Sequence, residues 1–84
     1  MKIKYGGDLG DVDVEAFFAD MLSDYCGTHG IIPMLESIKY DLEHGRDPRE
    51  GLGYAWSGLT IIYDYYRAET DAEKEKIFRE RSGI

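Results

Sequence analysis

Apolar side chains in this sequence recur at the 3.6-residue period of an α-helix, and only a few N-terminal residues alternate as a strand would. Val14, Phe17, Phe18, Met21, Leu22 and Tyr25 fall at i, i+3, i+4, i+7, i+8 and i+11, a single stripe along one helix face. A chain patterned in this way must bury several such stripes against one another. The expected fold is therefore all-α, a small single-domain bundle of about four helices. Its 84 residues suffice for one core and not for two.

The spacing predicts helices near 12–26, 31–44, 48–68 and 71–81 within a single helical domain over 1–84. Residues 1–10 read as a lead-in, either a flexible tail or a short strand. Lys2-Ile3-Lys4-Tyr5 alternates, but Gly6, Gly7 and Gly10 follow closely. Asp13 or Asp11 can cap the first helix, with Val12 and Phe17 at the staple positions and Gly27 suited to its end. The second opens at Ile32-Pro33, repeats Ile31, Met34, Leu35, Ile38 and Leu42, and stops at Gly45. Thr70-Asp71-Ala72-Glu73 is a capping box for the fourth, and it sits just before Ile77 and Phe78. One continuous helix from Pro48 through Arg81 is the alternative, and it would strand those two side chains without a second subunit.

The third helix is the unusual one. Asp47-Pro48-Arg49-Glu50 gives it a capping acid and a first-turn proline. Leu52, Ala55, Trp56, Leu59, Ile62, Tyr63 and Tyr66 form a main apolar face, and Tyr54, Ile61 and Tyr65 a second row, with Gly51 and Gly58 between them. Together they span roughly 220° at 100° per residue, far more than a surface helix needs. The main face is expected in the core, with Trp56 emission blue-shifted. The second row is expected at a partner or homodimer interface. Gly51, Ala55 and Gly58 would let another helix approach closely and offset part of the roughly 1 kcal/mol that each helical glycine costs.

Charge is distributed unevenly. Asp8, Asp11, Asp13, Glu15, Asp20, Asp24 and Glu36 lie between Tyr5 and Ile38 without a single Lys or Arg, so this stretch alone carries the net charge of -7. The other ten acids match the ten Lys and Arg. Around the first helix Asp13, Asp20 and Asp24 fall within about 40° of one another, an acidic ridge beside the apolar stripe. Such a field repels nucleic acid and anionic membranes and attracts basic surfaces.

Candidate chemistry is sparse. Cys26-Gly27-Thr28-His29 offers two soft ligands, but structural zinc needs four and only His44 could be added. Cys26 closes a helix in an acidic stretch, where a thiolate is disfavoured. Asp11, Asp13 and Glu15 alternate like the start of a calcium loop, yet Ala16 and Leu22 stand where that loop needs Gly and Glu. The expectation is a protein with no catalytic residues, no metal and no cofactor. A single cysteine and the lack of a long apolar run fit a cytoplasmic setting.

Tyr25, Tyr40, Tyr54, Tyr63, Tyr65, Tyr66 and Trp56 exceed what a core of this size hides, and Tyr and Trp commonly anchor protein interfaces. The functional expectation is a non-enzymatic acidic inhibitor that mimics nucleic acid and occludes a basic, nucleic-acid-binding surface of a partner protein. Small phage-borne inhibitors of bacterial defence systems use this physical strategy, although no motif here ties the chain to them. Asp13, Asp20 and Asp24 would make the partner contact, with neither nucleic acid nor membrane bound directly. The alternatives are a self-associating scaffold subunit built on Tyr54, Ile61 and Tyr65, and a small metal or thiol protein using Cys26 and His29.

Overall fold

The computed structural model describes residues 1–24 and 30–84. It contains a β-hairpin, β1 (Lys2–Gly6) and β2 (Gly10–Asp13), followed by α1 (Val14–Ser23), α2 (Ile31–Glu43), α3 (Arg49–Arg67) and α4 (Asp71–Arg81). The protein is predominantly helical, and the N-terminal lead-in is a two-stranded antiparallel sheet. Among the described residues no helix is long and apolar enough to cross a membrane.

Hairpin formation follows from the glycines that read as flexible. Gly6, Gly7 and Gly10 have φ of 72°, 58° and 58°, a left-handed conformation that a side chain disfavours and a tight connection between twisted strands requires. Pairing sets Lys2 opposite Asp13, Ile3 opposite Val12 and Lys4 opposite Asp11. Ile3 turns inward and is buried, while Lys2 and Lys4 stay exposed, so two opposite-charge cross-strand pairs lie on the outer face. Consequently α1 begins at Val14 rather than near 12. Asp13 ends β2 and also caps the helix, accepting from the Ala16 N–H at 3.3 Å.

Each helix boundary has a local cause. Gly45, at φ 68°, turns the chain after α2. Asp47 Oδ1 accepts from the Arg49 N–H at 3.0 Å and satisfies one free donor of α3. Thr70 Oγ1 accepts from the Glu73 N–H at 3.1 Å, and the Glu73 carboxylate takes the Glu69 N–H at 3.3 Å. This capping box breaks the chain at Ala68–Thr70, so α3 and α4 are separate helices. Phe78 is then folded back into the core instead of being left stranded.

The core is an aromatic cluster where α1, α3, α4 and the hairpin meet. Phe78 makes edge-to-face contacts with Phe17, Phe18 and Tyr5 at centroid distances of 5.1, 5.8 and 6.4 Å, and Phe18 meets Tyr65 at 5.2 Å. Arg79 ties α4 to the hairpin: its guanidinium lies over the Tyr5 ring at 4.6 Å and donates to the Lys4 carbonyl at 2.6 Å. Along α3, Arg81 bonds Asp64 and Thr60. The Arg81 hydrogen bond, helped by the charges of Arg67 and Arg81, holds the Asp64 carboxyl below the usual carboxylate range against a smaller desolvation effect. The Tyr5 hydroxyl is buried with no hydrogen-bond partner among the described residues. Because an unpaired buried hydroxyl loses its water for nothing, Tyr5→Phe should leave stability unchanged or raise it by up to about 1 kcal/mol. A denaturation midpoint that falls in Tyr5→Phe would show that the hydroxyl is engaged.

The glycine strip on α3 does what its spacing predicts. A Cβ on Gly58 would lie 2.5 Å from Ile31 Cδ1, and one on Gly51 would lie 3.0 Å from Ile38 Cγ1 and 3.2 Å from Met34 Sδ. These contacts run in opposite order along the two helices, so α2 lies antiparallel over the strip. The molecule is thin, 46 × 28 × 16 Å, with a radius of gyration of 14.7 Å against about 12 Å for a compact domain of this length. Between the sides taken by α2 and α4, the exposed Leu52, Trp56, Leu59, Tyr63 and Tyr66 mark a side of α3 that is left open.

Candidate functional site

Two surfaces stand out, one charged and one apolar. Among the described residues no three His, Cys, Asp or Glu side chains gather as a metal site. Cys26 and His29 lie outside the described residues. His44 is the exposed C-cap of α2, stacked on Tyr40 at 3.9 Å with Nδ1 2.8 Å from the Tyr40 carbonyl.

The charged surface is smaller than the sequence suggests, because folding brings cations to part of the acidic stretch. Asp11 and Asp13 face Lys4 and Lys2 across the hairpin. Glu15 takes the amino group of Met1 at 2.6 Å, and that hydrogen bond is the main reason its carboxyl is held below the usual range. Asp8, Asp20, Asp24 and Glu36 are exposed and form no ion pair among the described residues. The predicted ridge of Asp13, Asp20 and Asp24 is exposed throughout, yet only Asp20 lies within α1. Asp13 is its N-cap and Asp24 its C-cap, with φ of -156° placing Asp24 off the helical path. The part of the ridge left without a facing cation is Asp20 and Asp24.

The apolar surface is where the structure departs most from the sequence reading. Tyr65 is 1% exposed and Ile61 9% exposed, both in the core, and Tyr54 is half-buried. Hence the row Tyr54, Ile61, Tyr65 is not an open interface. The expected core face is instead turned outward: Leu52, Trp56, Leu59, Tyr63 and Tyr66 are exposed, Trp56 at 71% and Tyr63 at 65%. Only Ala55, buried, and Ile62, half-buried, keep their expected place. The cause is docking. With α2 seated on the glycine strip and α4 folded back along Thr60 and Asp64, the second row is the side that both neighbours and Phe18 enclose.

On α2 the outcome is similar. Ile31 and Ile38 are buried, while Ile32, Leu35 and Leu42 are exposed. In each helix the exposed row lies roughly 90° around the axis from the residues that touch the other helix, and in the same rotational sense. Because the helices are antiparallel, equal rotations carry both rows to the same side of the molecule. Trp56, Leu59, Thr60 and Tyr63 line a shallow depression on it. The signal available in the sequence was the spacing of Leu52, Trp56, Leu59, Tyr63 and Tyr66, which step by 4, 3, 4 and 3 residues, the seam of a coiled coil.

No protein family matches the chain, and neither a curated protein nor a solved structure does.

Proposed function

We propose that the protein is a non-enzymatic acidic binding module that occupies a basic, nucleic-acid-binding surface of a partner protein and thereby inhibits it. The observation that carries this reading is how the fold sorts charge. Four of the five arginines of the C-terminal half pair with carboxylates, Arg49 with Asp47, Arg67 and Arg81 with Asp64, and Arg79 with Glu75, while Arg46 lies over the Tyr40 ring. Asp8, Asp20, Asp24 and Glu36 face solvent and form no ion pair among the described residues. An excess of negative charge on a small molecule acts mainly on encounter rate and register. It also keeps the module off nucleic acid itself.

The partner is identified by capture from the source cell and mass spectrometry, and its kinetics are then followed against salt. Asp20→Lys with Asp24→Lys should slow association by about tenfold at low ionic strength and flatten the salt dependence, since steering of this kind is screened within about 10 Å at 0.1 M salt. Helical content should not change, because both side chains are exposed. Neutral substitutions of Lys76 and Glu80 on α4 serve as the control. The reading fails if the double reversal associates at the unchanged rate in low salt, or if the wild-type protein retains nucleic acid.

A further inference from the structure

We propose that the open face of α2 and α3 is a homodimer interface, covered by the same face of a second copy of this chain. The chain exposes 5910 Å², whereas a folded monomer of 9.6 kDa exposes about 5100 Å². The difference of about 800 Å² is what one partner contributes to an interface of standard size. Trp56 and Tyr63 alone leave on the order of 300 Å² of aromatic surface in water. With Leu52, Leu59, Tyr66, Ile32 and Leu35 beside them, the patch exceeds the few hundred Å² typical of monomers.

Charge separates this occupant from a basic protein. Within Arg49–Arg67 the charged residues are Arg49, Glu50, Asp64 and Arg67, so α3 is neutral. Its exposed row carries no ionisable group except the tyrosine hydroxyls. A cationic partner is drawn to Asp20 and Asp24, not to this row. On the α2 side the exposed Glu36 and Lys39 carry opposite charges, so a second copy meets a face with no net charge, and Asp20 and Asp24 belong to neither row.

Spacing is compatible with this occupant: the 4, 3, 4, 3 steps from Leu52 to Tyr66 let one row of knobs enter the holes of an identical helix. In a two-fold contact residue i meets j and j meets i, so the middle of the row, Leu59, lies at the axis. The dimer stacks the α2–α3 pairs of two copies into a four-helix bundle.

Sedimentation of the full chain over a dilution series tests this directly. The expected mass is twice 9.6 kDa, falling to one chain on dilution. Emission from Trp56, the single tryptophan, should be blue-shifted in the dimer and move to the water-like position as the mass falls. Leu59→Glu should give one chain mass with native helical circular dichroism. A wild-type protein that sediments as one chain at the highest concentration reached overturns the proposal, and so does a folded Leu59→Glu that remains a dimer. Should Leu59→Glu lose its helical signal, cysteines decide the matter in a Cys26→Ser background. Leu59→Cys should form a disulfide-linked dimer under mild oxidation. Ser57→Cys, about 160° round the helix, should not, and equal linkage by both overturns the face.

Discussion

Phe78→Ala is expected to remove about 3–5 kcal/mol of stability, the largest loss of any single truncation in this protein. The side chain is fully buried and meets Phe17, Phe18 and Tyr5 edge to face. Its removal leaves a cavity bordered by three rigid rings on two other elements, α1 and β1, which cannot close together over the gap. A domain of this length has a total stability of about 4–13 kcal/mol, so the loss is a large share of the whole. At about 4–8 °C per kcal/mol for a domain of this size, the melting temperature should fall by roughly 15 °C or more. Thermal and urea unfolding at one fixed protein concentration provide the measurement, since association of subunits would otherwise contribute. A fall of only a few degrees would mean that α4 is not part of the cooperative core.

Gly30→Ala is expected to be nearly as damaging, at about 3 kcal/mol, for a different reason. Gly30 is the N-cap of α2, at φ -75°, so its own backbone conformation suits any residue. Space is what is lacking: a Cβ there would lie 2.4 Å from the Ser23 carbonyl carbon, 2.6 Å from the Leu22 carbonyl oxygen and 2.7 Å from the Asp24 nitrogen. These are backbone atoms at the end of α1, and no rotamer change moves them. The start of α2 must therefore shift away from the end of α1, carrying the buried Ile31 with it. Gly53→Ala provides the contrast. No atom lies within 4 Å of that Cβ, and an alanine in an exposed helix interior should stabilise the protein by up to about 1 kcal/mol. If both substitutions shift the urea midpoint alike, helix propensity rather than backbone contact governs Gly30.

Helix content and the local signals at helix ends were legible in the residues themselves, because they depend on neighbours within one turn. The Asp13 cap, the Gly45 stop and the Thr70 to Glu73 capping box each act across three or fewer residues. The glycine strip on α3 was legible for a related reason, since close helix approach depends on small side chains at helical spacing. The hairpin was half legible. Alternation in Lys2–Tyr5 was visible, but its partner strand, Gly10–Asp13, has only one apolar residue, Val12, and reads equally well as a helix entry. Pairing across the turn, worth little within either segment alone, decided it.

Which side of α3 faces inward was not legible. Both rows are apolar and helically spaced, so periodicity treats them alike; burial went to Ile61 and Tyr65 because α4 returns over that side, with Arg81 on Asp64 and Lys74 over the Tyr65 ring, and Phe18 packs on Tyr65. The charge surface behaved in the same way. The sum of -7 is a property of the sequence, but strand pairing brought Lys2 and Lys4 to Asp13 and Asp11, leaving Asp20 and Asp24 as the part of the ridge without a facing cation. Sequence by itself determined the helices, their caps and a close helix approach along the α3 glycines, all set within a turn or by side-chain size, while the fold made α2 the helix that approaches. Tertiary structure alone decided which apolar row is core and which is open, and which acids remain uncompensated, because both depend on contacts between segments far apart in the chain.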